Sequence, residues 1–196
     1  QQYEFNIYPK RDITLIKGKD AFLWDENGKK YIDCTTGHGV ASIGHCNEKV
    51  VNAIESQAHN LITCTGSFYN DKRAVLMEKL VNFIPAGLNK VFLCNSGTET
   101  IEAAIKFARF STGKTEFISA MRGFHGRTMG ALSATFTPKH RDKFEPLLEG
   151  FNFVPFNKFE KLESKVTENT AGIILEIVQC EGGGHVGGKE YFQRVQ

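Results

Sequence analysis

Three glycine-containing stretches of this chain carry residue types able to hold an anion, and their surroundings separate them. Ala108-Arg-Phe-Ser-Thr-Gly113-Lys114-Thr115 approximates a nucleotide phosphate loop with Ala in place of the first Gly. Such a loop must follow a strand and open a helix, so that free N–H groups point at the phosphate. Here the periodicity predicts a helix before it and a strand after it. Gly113 therefore reads as a helix C-terminal glycine and Lys114 as a cation at the negative helix end, and the nucleotide reading is rejected. Gly182-Gly-Gly184-His-Val-Gly187 spells G-x-G-x-x-G after a predicted strand. Gln179, Cys180 and Glu181 intervene, whereas the dinucleotide fingerprint turns at once, and Glu181 would set a negative charge where pyrophosphate sits. An ordinary loop is preferred there, with a dinucleotide site as its competitor. Asn95-Ser96-Gly97-Thr98-Glu99 lies directly between a strand ending at Cys94 and a helix running to Arg109. Ser96 and Thr98 are good caps, Gly97 admits a close ligand, and the first-turn N–H groups are donors for a phosphate. A plain capped helix explains these residues equally well.

Gly123-Phe124-His125-Gly126-Arg127-Thr128 follows the next predicted strand. Taken singly, Phe124 is a core residue, His125 a satisfied polar neighbour and Arg127 a surface ion pair. Together, beside a phosphate loop, they suggest a flat cofactor stacked on Phe124 and a carboxylate gripped by the planar fork of Arg127.

The elements that must position these groups are legible in outline. Ile13–Ile16, Ala21–Trp24 and Tyr31-Ile32 read as strands, with Asn27-Gly28 supplying the positive φ angles of a tight hairpin turn. Glu48–Leu61 places Val50, Val51, Ile54, Ala58 and Leu61 at helical spacing, and Ala74–Ile84 repeats the pattern. Beyond Pro85, strands at Lys90–Cys94, Thr115–Met121, Phe151–Phe156 and Ala171–Val178 alternate with helices at Thr98–Arg109 and Asn157–Val166. That alternation predicts an α/β fold, a largely parallel sheet between helices, with its chemistry at the strand C-termini. Lys189–Gln196 reads as a helix just beginning, with no stop signal, so the protein is expected to continue.

The 196 residues hold 24 Lys and Arg, 22 Asp and Glu, and 41% hydrophobic residues, which excludes a disordered, collagenous or coiled-coil chain. A net charge of +2 offers no field for nucleic acid or an anionic membrane. No apolar run approaches the roughly 20 residues needed to span a bilayer. The first five residues, Gln1-Gln2-Tyr3-Glu4-Phe5, lack signal-peptide character. Cysteines 34, 46, 64, 94 and 180 are odd in number and irregularly spaced, so buried free thiols in the reducing cytoplasm are expected, with no metal site.

With these motifs assembled, the chain resembles the class III pyridoxal-phosphate aminotransferases, in particular the acetylornithine and acetyl-lysine branch. The carriers are Leu23-Trp24-Asp25, Gly28-Lys-Lys-Tyr31-Ile-Asp33, Gly44-His45, Asn95-Ser-Gly-Thr-Glu99 with Glu102-Ala-Ala and Lys106, Phe124-His-Gly-Arg-Thr128, and Glu176-Ile-Val-Gln-Cys-Glu-Gly-Gly183. The resemblance implies the fold type I of pyridoxal-phosphate enzymes. Residues 1–50 would be a β-containing N-terminal segment of a small domain, and 51–196 the first part of the large cofactor domain. It also implies that Ser96, Gly97 and Thr98 hold the cofactor phosphate, with Phe124 on the ring and His125 beside it. Arg127 would bind a substrate carboxylate, Glu176 would line the pocket, and Glu181 would be the gate that pairs with a later arginine. His38, in Thr36-Gly-His-Gly-Val40, falls in the stretch that helps select the substrate side chain. Its surroundings resemble enzymes acting on lysine or ornithine tethered to an acidic amino-group carrier protein.

Two departures from the family pattern stand out, Ile177 where Pro is common and Cys180 where Gly is common. The Schiff-base lysine and the carboxylate for the pyridine nitrogen are expected downstream of Gln196. The implied activity moves the terminal amine of an N-blocked ornithine or lysine to 2-oxoglutarate, in a homodimer. Plain ornithine or 4-aminobutyrate is the nearest alternative donor. A dinucleotide-dependent oxidoreductase and a non-catalytic binding domain are the alternatives from other classes.

Overall fold

A computed structural model of the chain describes residues 3–5 and 7–196. The reading of the N-terminus falls partly on Gln1 and Gln2, which lie outside the described residues. The chain divides into two compact units, Gln1–Ile84 and Pro85–Gln196.

In the first unit, β1 (Leu15–Lys19), β2 (Phe22–Asp25) and β3 (Lys30–Ile32) form an antiparallel sheet in sequence order. The turn between β2 and β3 differs from the expected tight one. Only Gly28 takes a positive φ, 79°, because the loop is closed by a side chain instead. Asp25 Oδ1 accepts the N–H groups of Asn27 and Lys29, each at 2.9 Å, and Tyr31 donates its hydroxyl to Oδ2 at 2.8 Å. The short turn α1 (Thr36–Gly39) precedes two regular helices, α2 (Glu48–Asn60) and α3 (Asp71–Phe83). Asn47 and Asn70 cap them with side-chain oxygens, satisfying first-turn donors that have no intrahelical partner.

The second unit is built on three parallel strands, β4 (Glu116–Ala120), β5 (Phe151–Val154) and β6 (Thr170–Ile174), in the order β5-β4-β6. Successive side chains of β4 point to opposite faces. Ile118 packs with Val154, Leu162 of α7 (Phe159–Glu163) and Tyr191 of α8 (Lys189–Val195). Phe117 stacks on Phe151 and faces α4 (Gly97–Thr112), where a side chain at Gly172 would meet both the Phe117 ring and Ala108. Helices therefore cover both faces. Each fully buried aliphatic residue of this core contributes about 1.5–3 kcal/mol relative to exposure.

Gly113 closes α4 with φ 69°, as expected of a helix C-terminal glycine. Between β4 and β5 lie α5 (Met129–Ala134), α6 (Pro138–Arg141) and a 3-10 turn (Asp142–Phe144). Beyond β6, β7 (Val178–Gln179) and β8 (His185–Val186) form a small antiparallel hairpin.

One expectation about the cysteines and two about strands are corrected: none of the five thiols is buried, and Cys34, Cys46 and Cys180 are exposed. Lys90–Cys94 joins no ladder among the described residues, since β5 and β6 form the sheet edges and neither pairs with it; Phe92 and Leu93 are exposed. An extended segment without a hydrogen-bonded neighbour is not a strand. Ala171–Val178 is not continuous either. The sheet ends at Ile174, and the chain leaves it through Leu175–Ile177 before β7. The glycine-rich segment after residue 181 joins two antiparallel strands, and Gly183 and Gly184 take positive φ there, so it has no strand-to-helix phosphate geometry.

Candidate active site

The N-terminus of α4 is capped by Ser96, whose Oγ accepts the Glu99 N–H at 3.4 Å and donates to Glu99 Oε2 at 3.1 Å. Glu99 Oε2 also accepts the Asn95 N–H at 2.8 Å. These contacts, the Ser96 hydroxyl first, hold the Glu99 carboxyl below its ordinary range. The amides of Gly97 and Thr98 belong to the first turn, where no intrahelical acceptor exists. Gly97 has open space where a side chain would stand. The loop thus offers two amide donors, the positive end of a 16-residue helix and room for an anion.

The segment that follows β4 is pressed against this helix end. Thr98 Oγ1 lies 2.8 Å from Thr128 Oγ1 and accepts the Thr128 N–H at 3.4 Å. Gly126, at φ 139°, makes the approach: a Cβ there would stand 2.3 Å from Thr98 Oγ1. Farther along the same face of α4, Glu102 Oε1 accepts from the Thr128 hydroxyl and from the amides of Gly130 and Ala131.

On the other side of the loop the Phe124 N–H donates to Glu176 Oε2 at 3.1 Å, tying the loop to the residue just past the end of β6. Burial pushes the Glu176 carboxyl upward, opposed by the Phe124 N–H and reinforced by the negative charge of Glu181. His125 is 8% exposed, its amide donates to Thr135 Oγ1 at 2.9 Å, and its Nε2 has no hydrogen-bond partner among the described residues. Burial lowers its pKa from 6.5 to about 4, so the ring is neutral at pH 7. A side chain at Gly123 would meet both His125 Nε2, at 3.1 Å, and Glu176 Oε2, at 3.3 Å.

Of the residues singled out from sequence, Ser96, Gly97, Thr98, Phe124, His125, Arg127 and Glu176 come together through the loop over residues 123–128. Arg127 is exposed at the end of that loop. Glu181 stands in the β7–β8 connection, exposed, with Oε1 3.8 Å from His140 Nε2, and the His140 ring is edge-on to Phe124 at 5.8 Å. His38 belongs to the first unit. It sits at φ 58° in a turn whose residues 36–39 all have positive φ, and Asp33 Oδ1 accepts the amides of Thr35 and Thr36 at its start.

From the sequence, Glu102 is an acidic residue that suits the dipole at the start of its helix, and Thr128, Thr135, His140 and Gln179 have no role in the site. The last is buried and donates to the Met121 carbonyl at 3.0 Å, fixing the hairpin to the end of β4. One signal was available, since Thr98 and Glu102 are four residues apart and share a helix face.

Comparison with known proteins fits this geometry. The family described as aminotransferase class-III matches residues 7–196. The [LysW]-aminoadipate semialdehyde transaminase of Deinococcus radiodurans is 44% identical over 198 residues, covering 100% of this chain and 46% of that protein. The acetylornithine aminotransferase of Methanopyrus kandleri is 46% identical over 182 residues, covering 93% of this chain and 47% of its own. The chain thus spans about half the length of the curated relatives it matches. Among solved structures, the ornithine aminotransferase of Toxoplasma gondii, with partial occupancy of PLP, superposes with a TM-score of 0.90 at 30% identity. That match covers 99% of this chain and 47% of that one. The omega transaminase of Pseudomonas jessenii in complex with PMP gives 0.90 at 25% identity, covering 100% and 51%. The parallel sheet is that of fold type I, and with the family match running from residue 7 to residue 196 the chain belongs to the class-III aminotransferases.

Proposed function

We propose that the complete protein is a pyridoxal-phosphate-dependent ω-aminotransferase. It moves the terminal amine of an N-blocked ornithine or lysine to 2-oxoglutarate and yields a semialdehyde and glutamate. The observation that carries the reading is the contact between the open N-terminus of α4 and the loop bearing Phe124 and Arg127, at the C-terminal edge of a parallel sheet. The residues fit the cofactor. Gly97 has open space where a side chain would stand, its amide and that of Thr98 are first-turn donors without an intrahelical acceptor, and Phe124 is an aromatic held through its backbone by Glu176.

Bound pyridoxal phosphate supplies an electrophilic carbonyl and an electron sink. This chain's residues do the rest of the positioning. Ser96, Gly97 and Thr98 would hold the phosphate and Phe124 would take the ring, with the buried His125 beside it. Glu176 lines the ring pocket. Arg127 presents a planar fork to the carboxylate remote from the reacting amine. Glu181 faces a cationic donor in one half-reaction and must withdraw for a second carboxylate in the other. The Schiff-base lysine and the carboxylate at the pyridine nitrogen are assigned to the remainder of a protein about twice this length.

Relatives named for acetylornithine and for [LysW]-aminoadipate semialdehyde support an N-blocked donor, in arginine or lysine biosynthesis. The second of these names supports an acidic amino-group carrier protein as the blocking group, with His38 helping to select it. Ornithine itself is the second reading, favoured by the likeness to the Toxoplasma enzyme. A homodimer in the cytoplasm completes the proposal; no described helix is long and apolar enough to cross a membrane. A visible absorption spectrum of the complete protein with pyridoxal phosphate is the test. A band near the visible edge that bleaches on adding glutamate is expected, and the absence of any band would overturn the reading.

A further inference from the structure

Glu102 lies outside every role assigned so far, yet it is the most heavily used acceptor of the site. Its Oε1 takes the Thr128 hydroxyl at 2.6 Å, the Gly130 amide at 2.8 Å and the Ala131 amide at 3.1 Å. The last two are first-turn amides of α5, and Thr128, at that helix's N-cap, makes no side-chain cap of its own. Glu102 of α4 therefore caps α5 from across the interface. Gly130 makes room for Glu102, and Gly126 for Thr98. A Cβ on Gly130 would lie 2.4 Å from Glu102 Oε2, as one on Gly126 would collide with Thr98.

The donor inventory fixes the direction of the hydrogen bonds. Glu102 Oε1 accepts from two backbone amides and from the Thr128 hydroxyl, so the single hydroxyl hydrogen of Thr128 points at it. The 2.8 Å contact between the threonine hydroxyls must then be donated by Thr98. The chain runs from Thr98 to Thr128 to Glu102. The Thr98 hydroxyl has no hydrogen left for a phosphate, which leaves its amide for that purpose.

We propose that Glu102 is a positioning residue that clamps the loop over 123–128 to the N-terminus of α4, setting the separation between the phosphate amides and Arg127. The proposal rests on the function proposed above for Arg127 and for the α4 terminus. Its test uses the complete protein and the variants Glu102→Ala, Glu102→Gln, Thr128→Val, Arg127→Ala and Glu102→Ala with Arg127→Ala. Amide hydrogen exchange is followed in the cofactor-free protein, and KM and kcat are followed with 2-oxoglutarate.

In Glu102→Ala, exchange over residues 128–131 should accelerate at least about tenfold and KM for 2-oxoglutarate should rise about tenfold, with kcat within about threefold. Glu102→Gln, which keeps a carbonyl acceptor, should recover most of both, and Thr128→Val should fall between. In the Arg127→Ala background, removing Glu102 should change KM by less than about twofold, because both changes act on one interaction. Additive effects on KM would overturn the proposal, as would unaltered exchange in Glu102→Ala. If Glu102→Ala does not fold, Thr128→Val decides the matter: accelerated exchange over residues 128–131 is expected, and unaltered exchange would overturn the proposal. Accelerated exchange in a protein that fails to transaminate would refute the proposed function and leave the clamp standing. Active protein with unchanged exchange would do the reverse.

Discussion

Acidification should destabilise this protein through His125 in a window that its burial defines. His125 is 8% exposed, and its Nε2 has no hydrogen-bond partner among the described residues. The imidazolium would have to form where water cannot reach it, and the pKa falls accordingly from 6.5 to about 4. Between those values the unfolded chain binds a proton that the folded chain refuses. Unfolding stability therefore rises with pH through the window and is fully present above about 6.5. A gap of that width corresponds to about 3 kcal/mol lost between pH 6.5 and 4. The perturbation is His125→Gln, and the assay is urea unfolding of the cofactor-free protein at a series of pH values, wild type beside variant. The variant should lose about 3 kcal/mol less than wild type across the window, and the difference isolates His125 from the other histidines. The ring proton of His125, followed by NMR, should titrate near 4. A midpoint near 6.5, or parallel stability curves for the two proteins, would refute the reasoning.

Arg127→Ala should raise KM for 2-oxoglutarate by about 10- to 100-fold, the worth of a charge-assisted pair, with cofactor still bound; unchanged affinity would remove the carboxylate clamp. Gly126→Ala should lower the urea midpoint by the equivalent of about 1–3 kcal/mol, since the new methyl collides with Thr98 and Ala131; a variant as stable as wild type would mean the loop shifts freely. Glu176→Gln should grow more stable relative to wild type as pH rises above 4.5. The raised carboxyl binds its proton more tightly in the folded state, so ionising it penalises the fold; stability curves that stay parallel would contradict this.

Much of the scaffold was legible because its signals are local. The helical spacing of Val50, Val51 and Ile54, the capping serine at 96, the C-terminal glycine at 113 and the alternation after Pro85 each follow from a few neighbouring residues. The placement of Phe124 and Arg127 just past the end of β4 was legible too, because it follows from the strand pattern that precedes them. Other features were not legible. Lys90–Cys94 has a strand's composition but joins no ladder, because a ladder needs a neighbour that composition cannot supply. Five of the six residues of α5 are buried, and the helix is too short for any period to show. The formal dinucleotide pattern after residue 181 turned out to join antiparallel strands.

Sequence by itself determined which groups are available for chemistry and which element carries each of them, since propensity, capping and side-chain type act within a turn or two of the chain. Only the tertiary structure decided how they meet. It set Thr98 on Thr128 across 30 residues, Phe124 on Glu176 across 52, and Glu102 over the start of α5. Those contacts depend on how the strands order and how closely two glycines let a loop approach a helix, and no local pattern encodes a distance of that kind.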